Sequence, residues 1–115
     1  MVVNLGSLKI GESPLLIGVV TSQKTIPPKI KEVADILELR IDQFSVTDPS
    51  GQEKRAEKVK EFIGRTRRLN LPLIATVRRK EEGGNPGLNE EERLFLFKEV
   101  IPLVEGVDIE LNAEI

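Results

Sequence analysis

A chain of 115 residues, 39% of them apolar, can bury one core of modest size and reads as a single unit over 1–115. Seventeen basic against nineteen acidic residues give a formal charge of −2, and the basic ones are scattered, which excludes the concentrated basic face of a nucleic-acid binder. The absence of cysteine excludes a disulfide framework and a thiolate zinc site, and the absence of histidine removes the usual acid–base group near neutral pH.

The chain opens with Val2-Val3-Asn4-Leu5 and Leu8-Lys9-Ile10 on either side of Gly6-Ser7, which predicts a β-hairpin within residues 1–14. The apolar run Leu15 to Val20 falls far short of the ~20 residues that span a bilayer. Residues 1–14 carry no basic leader region, so a cytoplasmic protein with no membrane partner is expected. From Leu15 onward the pattern predicts a strand over 15–20, a short helix near 27–34, a strand over 35–41, a helix over 50–69, a strand over 72–78, a helix over 89–101 and a strand over 107–111. Strands that alternate with helices imply βαβ units and a parallel sheet.

Pro27-Pro28 limits the first helix to about two turns. The second has a possible capping box in Ser50-Gly-Gln-Glu53, with Val59, Phe62, Ile63, Thr66 and Leu69 along one face. The third opens on Asn89-Glu-Glu-Glu92, with Leu94, Phe97, Ile101 and Val104 as its stripe and Pro102 at its end.

The strands are two-faced. Leu37, Leu39 and Ile41 oppose Glu38, Arg40 and Asp42; Leu73, Ala75 and Val77 oppose Ile74, Thr76 and Arg78; Val107, Ile109 and Leu111 oppose Asp108, Glu110 and Asn112. A doubly wound sheet would show nearly continuous apolar strands. An apolar face toward helices and a polar face toward the strand C-termini suits the inside of a (β/α) barrel at its functional end, or a two-layer sheet with one wet face. Glu38, Asp42, Asp108 and Glu110 outnumber Arg40 and Arg78 on that face, so a cation is missing. A metal such as magnesium, a cationic ligand, or a lysine or arginine on further strands would each supply it.

Glu38-Leu-Arg40-Ile-Asp42, Arg78-Arg-Lys-Glu-Glu82-Gly83-Gly84 and Asp108-Ile-Glu110-Leu111 resemble, in order and spacing, the E-x-R-x-D, R-x-x-x-E-G-G and D-x-E-L segments of type I 3-dehydroquinate dehydratases. The resemblance covers the first half of that family's barrel. It implies a TIM-type (β/α)8 fold, here about half a barrel with four parallel strands and about three helices over 15–115. It also implies a hairpin that covers the N-terminal mouth.

The activity implied is dehydration of 3-dehydroquinate to 3-dehydroshikimate, in the shikimate pathway, through an imine on a lysine with a histidine moving protons. Neither metal nor diffusible cofactor takes part. By position, Glu38, Arg40 and Arg78 would hold the substrate, and Glu82 would orient the histidine. The structural alternatives are an i,i+2 ion pair for Glu38 and Arg40, a solvated strand end for Arg78 and an exposed loop acid for Glu82. Asp42, Asp108 and Glu110 are expected to brace strand ends against arginines.

The family's lysine and histidine fall on strands beyond Ile115. The chain alone is therefore expected to be inactive and to seek a partner, either a second copy of itself or a C-terminal half. The alternative is a non-catalytic half-barrel that self-associates or binds a small anion.

Overall fold

The computed structural model describes residues 3–22, 24, 26–44 and 51–110. β1 (Val3–Leu5) and β2 (Leu8–Ile10) form the predicted antiparallel hairpin, with Val3 opposite Ile10 and Leu5 opposite Leu8. Gly6 has φ 62°, the left-handed backbone that a tight two-residue hairpin turn requires.

The main sheet has four parallel strands, β3 (Ile17–Val20), β4 (Ile36–Arg40), β5 (Leu73–Thr76) and β6 (Gly106–Asp108), in the order β3-β4-β5-β6. Each crossover moves one strand onward in the same direction. That is how a barrel winds, whereas a doubly wound sheet reverses at a switch point. Helix α1 (Gln52–Thr66) lies between β4 and β5, and α2 (Glu90–Val100) between β5 and β6.

Register explains the two faces. Leu39 is level with Ala75, and Ala75 with Val107; Arg40 is level with Thr76, and Thr76 with Asp108. Paired residues of parallel strands point the same way, so the polar side chains gather in rows on one face. Leu37, Leu39, Leu73, Ala75 and Val77 turn the other way and are fully buried against Val59, Phe62 and Ile63 of α1 and Leu96, Phe97 and Val100 of α2. Each such large side chain contributes about 1.5–3 kcal/mol through burial. Phe44 meets Phe62 edge to face, with ring centroids 5.2 Å apart.

The predicted faces of α1 hold, with Ala56 added to the buried set. Its N-cap is Gly51, with no side-chain cap hydrogen bond, and the Ser50 of the expected capping box lies outside the described residues. The Asn89 capping box is present in full: Asn89 Oδ1 accepts from Glu92 N at 2.8 Å and Glu92 Oε1 from Asn89 N at 3.1 Å.

Three expectations need correction. The first helix is only a 3₁₀ segment, Pro28–Glu32. Val33 N and Ala34 N both close on Ile30 O, and Asp35 N then donates to Leu16 O, so the chain turns straight into the sheet. The buried stripe of α2 is Arg93, Leu96, Phe97 and Val100, while Ile101 is 47% exposed. The helix ends before Pro102, in a 3₁₀ turn Ile101–Leu103 that breaks the phase assumed for Ile101 and Val104. Finally, Val107 and Ile109 are 37% and 39% exposed, although their face is the helix-covered one elsewhere. β6 is a sheet edge, and among the described residues no helix follows it; Leu111 and Asn112 lie outside them.

The hairpin sits where a mouth cover would. A β-carbon built on Gly106 would meet Leu5 Cδ1 at 3.2 Å, and one on Gly6 would meet Glu105 Cγ at 3.3 Å, so the hairpin touches the N-terminal end of β6. Glu105 fixes that end: it accepts from Arg67 Nη1 and from Leu73 N at 2.9 Å, and its own N–H donates to Leu73 O at 3.0 Å. No described helix is long and apolar enough to cross a membrane.

Candidate active site

At the end of β4, Glu38 and Arg40 share the polar face, two residues apart. They do not pair with each other. Glu38 Oε2 accepts a hydrogen bond from Thr76 Oγ1 at 2.8 Å, and Arg40 turns instead to Asp42, donating through Nε at 3.1 Å and Nη2 at 2.9 Å. The i,i+2 alternative for Glu38 and Arg40 is thereby replaced by an i,i+2 pair one step further along.

Asp42 is fully buried in the 3₁₀ turn Ile41–Gln43 and also accepts from Gln43 Nε2 and Arg78 N, both at 3.0 Å. Burial pushes its carboxyl upward. The hydrogen bonds from Arg40, Arg78 N and Gln43, with the Arg40 charge, outweigh burial and hold Asp42 below the usual carboxylate range. The same contact with Asp42 raises Arg40 further, against its own partial burial.

Arg78 follows β5 and reaches across to the end of β6, with Nη2 at 3.2 Å from Asp108 Oδ2 and Nη1 at 3.4 Å from Glu110 Oε1. Glu110 also accepts from Arg79 N at 3.0 Å and from Arg93 Nη2. Burial raises Glu110, but the Arg79 N–H, its own backbone N–H and the charges of Arg93 and Arg78 hold it below the ordinary range.

Arg93 is the residue that sequence reasoning missed. It is only 2% exposed, on the sheet-facing side of α2, with Nε donating to Val77 O, Nη1 to Glu90 Oε1 at 2.7 Å and its guanidinium 5.3 Å from the Phe97 ring centre. A signal existed: Arg93, Leu96, Phe97 and Val100 stand at i, i+3, i+4 and i+7. Arg93 also supplies part of the missing positive charge, from beneath the sheet. Among the described residues, Glu38 is then the carboxylate of this face that forms no ion pair.

Glu82 ends the 3₁₀ turn Lys80–Glu82, exposed, and its carboxylate makes no hydrogen bond or ion pair with Glu38, Arg40 or Arg78. The glycines after it fold the loop back on β5. Gly83 has φ 92°, and Gly84 N donates to Arg79 O at 2.8 Å. A β-carbon on Gly84 would sit 2.0 Å from Arg78 O, so the turn tolerates no side chain there.

A cavity of about 250 Å³ between this loop and α2 is lined by Arg79, Lys80, Leu88, Asn89, Glu90 and Arg93, and includes none of Glu38, Arg40 or Arg78. The polar face itself lies open. Among the described residues no three carboxylates converge in a way that would hold a metal ion, because Asp42, Asp108 and Glu110 are each turned onto an arginine.

The family model for type I 3-dehydroquinase matches residues 14–115. Proteins named 3-dehydroquinate dehydratase are similar over 70–96% of the chain. That of Methanococcoides burtonii is 30% identical over 112 residues, covering 96% of this chain and 46% of its own length. That of Aquifex aeolicus is 42% identical over 80 residues, covering 70% of this chain and 32% of its own length. The crystal structure of the 3-dehydroquinate dehydratase from Aquifex aeolicus VF5 superposes with a TM-score of 0.64 at 34% identity, over 86% of this chain and 42% of that one. The chain spans less than half the length of these relatives. Strand order, polar face and sequence therefore agree, and the chain belongs to the type I 3-dehydroquinase family.

Proposed function

We propose that this chain is the substrate-holding half of a 3-dehydroquinate dehydratase, a hydro-lyase of the shikimate pathway that forms 3-dehydroshikimate through an imine. The observation that carries this reading is the unspent hydrogen-bonding capacity of one face. A guanidinium has five N–H donors, and Arg40 and Arg78 each place two on neighbouring carboxylates, which leaves three apiece. Glu38, which among the described residues pairs with no cation, supplies acceptor sites on the same face. Forked donors suit a carboxylate and hydroxyl oxygens, and a carboxylate suits hydroxyl hydrogens, which together describe 3-dehydroquinate.

In this reading Glu38, Arg40 and Arg78 hold the substrate, and Glu82 accepts a hydrogen bond from the proton-moving histidine and fixes its tautomer. The chain contains no histidine, so that group comes from outside the 115 residues, and in this reading the imine lysine comes with it. Imine chemistry needs no metal or diffusible cofactor. A C-terminal half completes the barrel, in preference to a second copy, because it brings the groups the reaction requires. A polar metabolite as substrate and a cysteine-free chain suit the cytoplasm.

The test is Arg78→Ala in a barrel completed in cis or in trans. Loss of charge-assisted hydrogen bonds worth roughly 1.5–3 kcal/mol each lowers kcat/KM by at least about tenfold. Unchanged kcat/KM would return Arg78 to a solvated strand end.

A further inference from the structure

The buried guanidinium of Arg93 lines the cavity beside α2 and lies outside the substrate face, and two of its three hydrogen bonds lead to groups that hold Arg78. Arg93 Nε donates to the carbonyl of Val77, the residue immediately before Arg78. Its Nη2 donates to Glu110 Oε2, while the other oxygen of that carboxylate receives Arg78 Nη1 at 3.4 Å and Arg79 N at 3.0 Å. The amide of Arg78 is held separately by Asp42 Oδ1 at 3.0 Å. We infer that Arg93 is a positioning residue for Arg78, fixing its backbone through Val77 and its guanidinium through Glu110.

Three features support the relay over a general packing role. An arginine that only filled space between α2 and β5 would leave its charge uncompensated, whereas here three of its nitrogens each meet an oxygen. Glu110 is 8% exposed and is bound on both sides by guanidinium groups, so its orientation depends on both. Arg78 has Asp108 as a second partner, itself more than a third exposed, so without a fixed Glu110 the guanidinium can swing toward solvent on that one contact. The planar fork of arginine reaches a carbonyl and a carboxylate at once, and lysine, a single point donor, does not.

The inference rests on the reading of Arg78 as a substrate-holding residue, and the experiment separates the two. In the 115-residue chain carrying Val19→Lys and Val107→Lys, exposed edge changes that limit association, ¹⁵N relaxation of the Arg78 Nε–H reports whether the guanidinium is held. Arg93→Lys is expected to bring its order parameter below about 0.6, the flexible range, while the folded amide spectrum is retained. An unchanged order parameter would overturn the relay. If Arg93→Lys does not fold, Arg93→Gln, which leaves Glu110 and its direct contact with Arg78 in place and cannot reach the Val77 carbonyl and Glu110 together, decides by the same criterion.

In a completed barrel, Arg93→Lys is expected to raise KM for 3-dehydroquinate about tenfold with kcat within about twofold, and to add nothing further in an Arg78→Ala background. An equal rise in that background would also overturn the relay. Should Arg78→Ala alone leave KM unchanged, the substrate-holding role fails, and the relaxation result still decides whether Arg93 positions Arg78.

Discussion

Asp42 accepts two hydrogen bonds from the guanidinium of Arg40, at 3.1 and 2.9 Å, and a third from the backbone N–H of Arg78 at 3.0 Å. One fully buried carboxylate thus ties the end of β4 to the residues that follow β5. Asp42→Asn keeps the volume but leaves a guanidinium without its counter-charge and an amide nitrogen where an acceptor stood. It is expected to lower unfolding stability by about 3 kcal/mol, read from urea denaturation. A loss under about 1 kcal/mol would show that Asp42 is spectator to the fold.

Acid should weaken the protein through the same groups. Asp42, Glu105 and Glu110 are all held below the ordinary carboxylate range in the folded state. The unfolded chain therefore binds more protons than the folded one, and stability rises with pH across this window. The contribution is complete above the unfolded carboxylate range, near pH 4, and is lost as pH falls through the depressed folded values. Unfolding free energies measured from pH 7 downward should be flat until about pH 5 and then fall, less steeply in Asp42→Asn. A stability that holds or rises on acidification would contradict the assignment.

Gly84 and Gly64 make a matched pair. A β-carbon on Gly84 meets Arg78 O at 2.0 Å, whereas one on Gly64, on the exposed side of α1, meets nothing within 4 Å. Gly84→Ala is expected to cost at least about 2 kcal/mol and to displace the loop that carries Glu82. Gly64→Ala should stabilise by about 0.5–1 kcal/mol, the helix preference for alanine. Thermal melts of both variants check this, and equal effects would mean that the loop yields freely.

Much of this architecture is legible in the sequence because it rests on local periodicity. The Gly6-Ser7 hairpin, the four parallel strands and the Asn89 box each follow from spacing alone. So does the opposition of Leu37 and Leu39 to Glu38 and Arg40. What was not legible depends on partners far apart in sequence. Arg93 is seventeen residues from Glu110 and sixteen from Val77, and a charged side chain in a helix reads as exposed until its acceptors are seen. Counting charge on the strand face alone gave a deficit that α2 partly fills from behind the sheet. The choice of Asp42 over Glu38 as the partner of Arg40 was equally hidden, because both stand two residues away and only the 3₁₀ turn at Ile41–Gln43 swings Asp42 into reach.

The sheet edges predict association. Ile17 and Val19 on β3 are 52% and 54% exposed, and Val107 and Ile109 flank the other edge, so among the described residues both ends of the sheet offer apolar side chains beside unpaired backbone groups. Sedimentation of the 115-residue chain is expected to show concentration-dependent association at micromolar protein. Val19→Lys together with Val107→Lys should reduce it. A stable wild-type monomer that unfolds cooperatively would mean that the edges are protected.

Reconstitution decides whether this chain is the half that holds the substrate. The 115-residue chain and a separate C-terminal half bearing the lysine and histidine should each be inactive alone, since loss of general acid–base catalysis removes typically 10²–10⁴-fold and loss of the lysine removes the covalent route. Mixed, they should form enone product from 3-dehydroquinate, with borohydride trapping the substrate on the C-terminal half. Glu38→Gln or Arg78→Ala in this chain should raise KM in the mixture. Enone formation by the C-terminal half alone, or a mixture indifferent to both substitutions, would contradict the account of this chain as the half that holds the substrate.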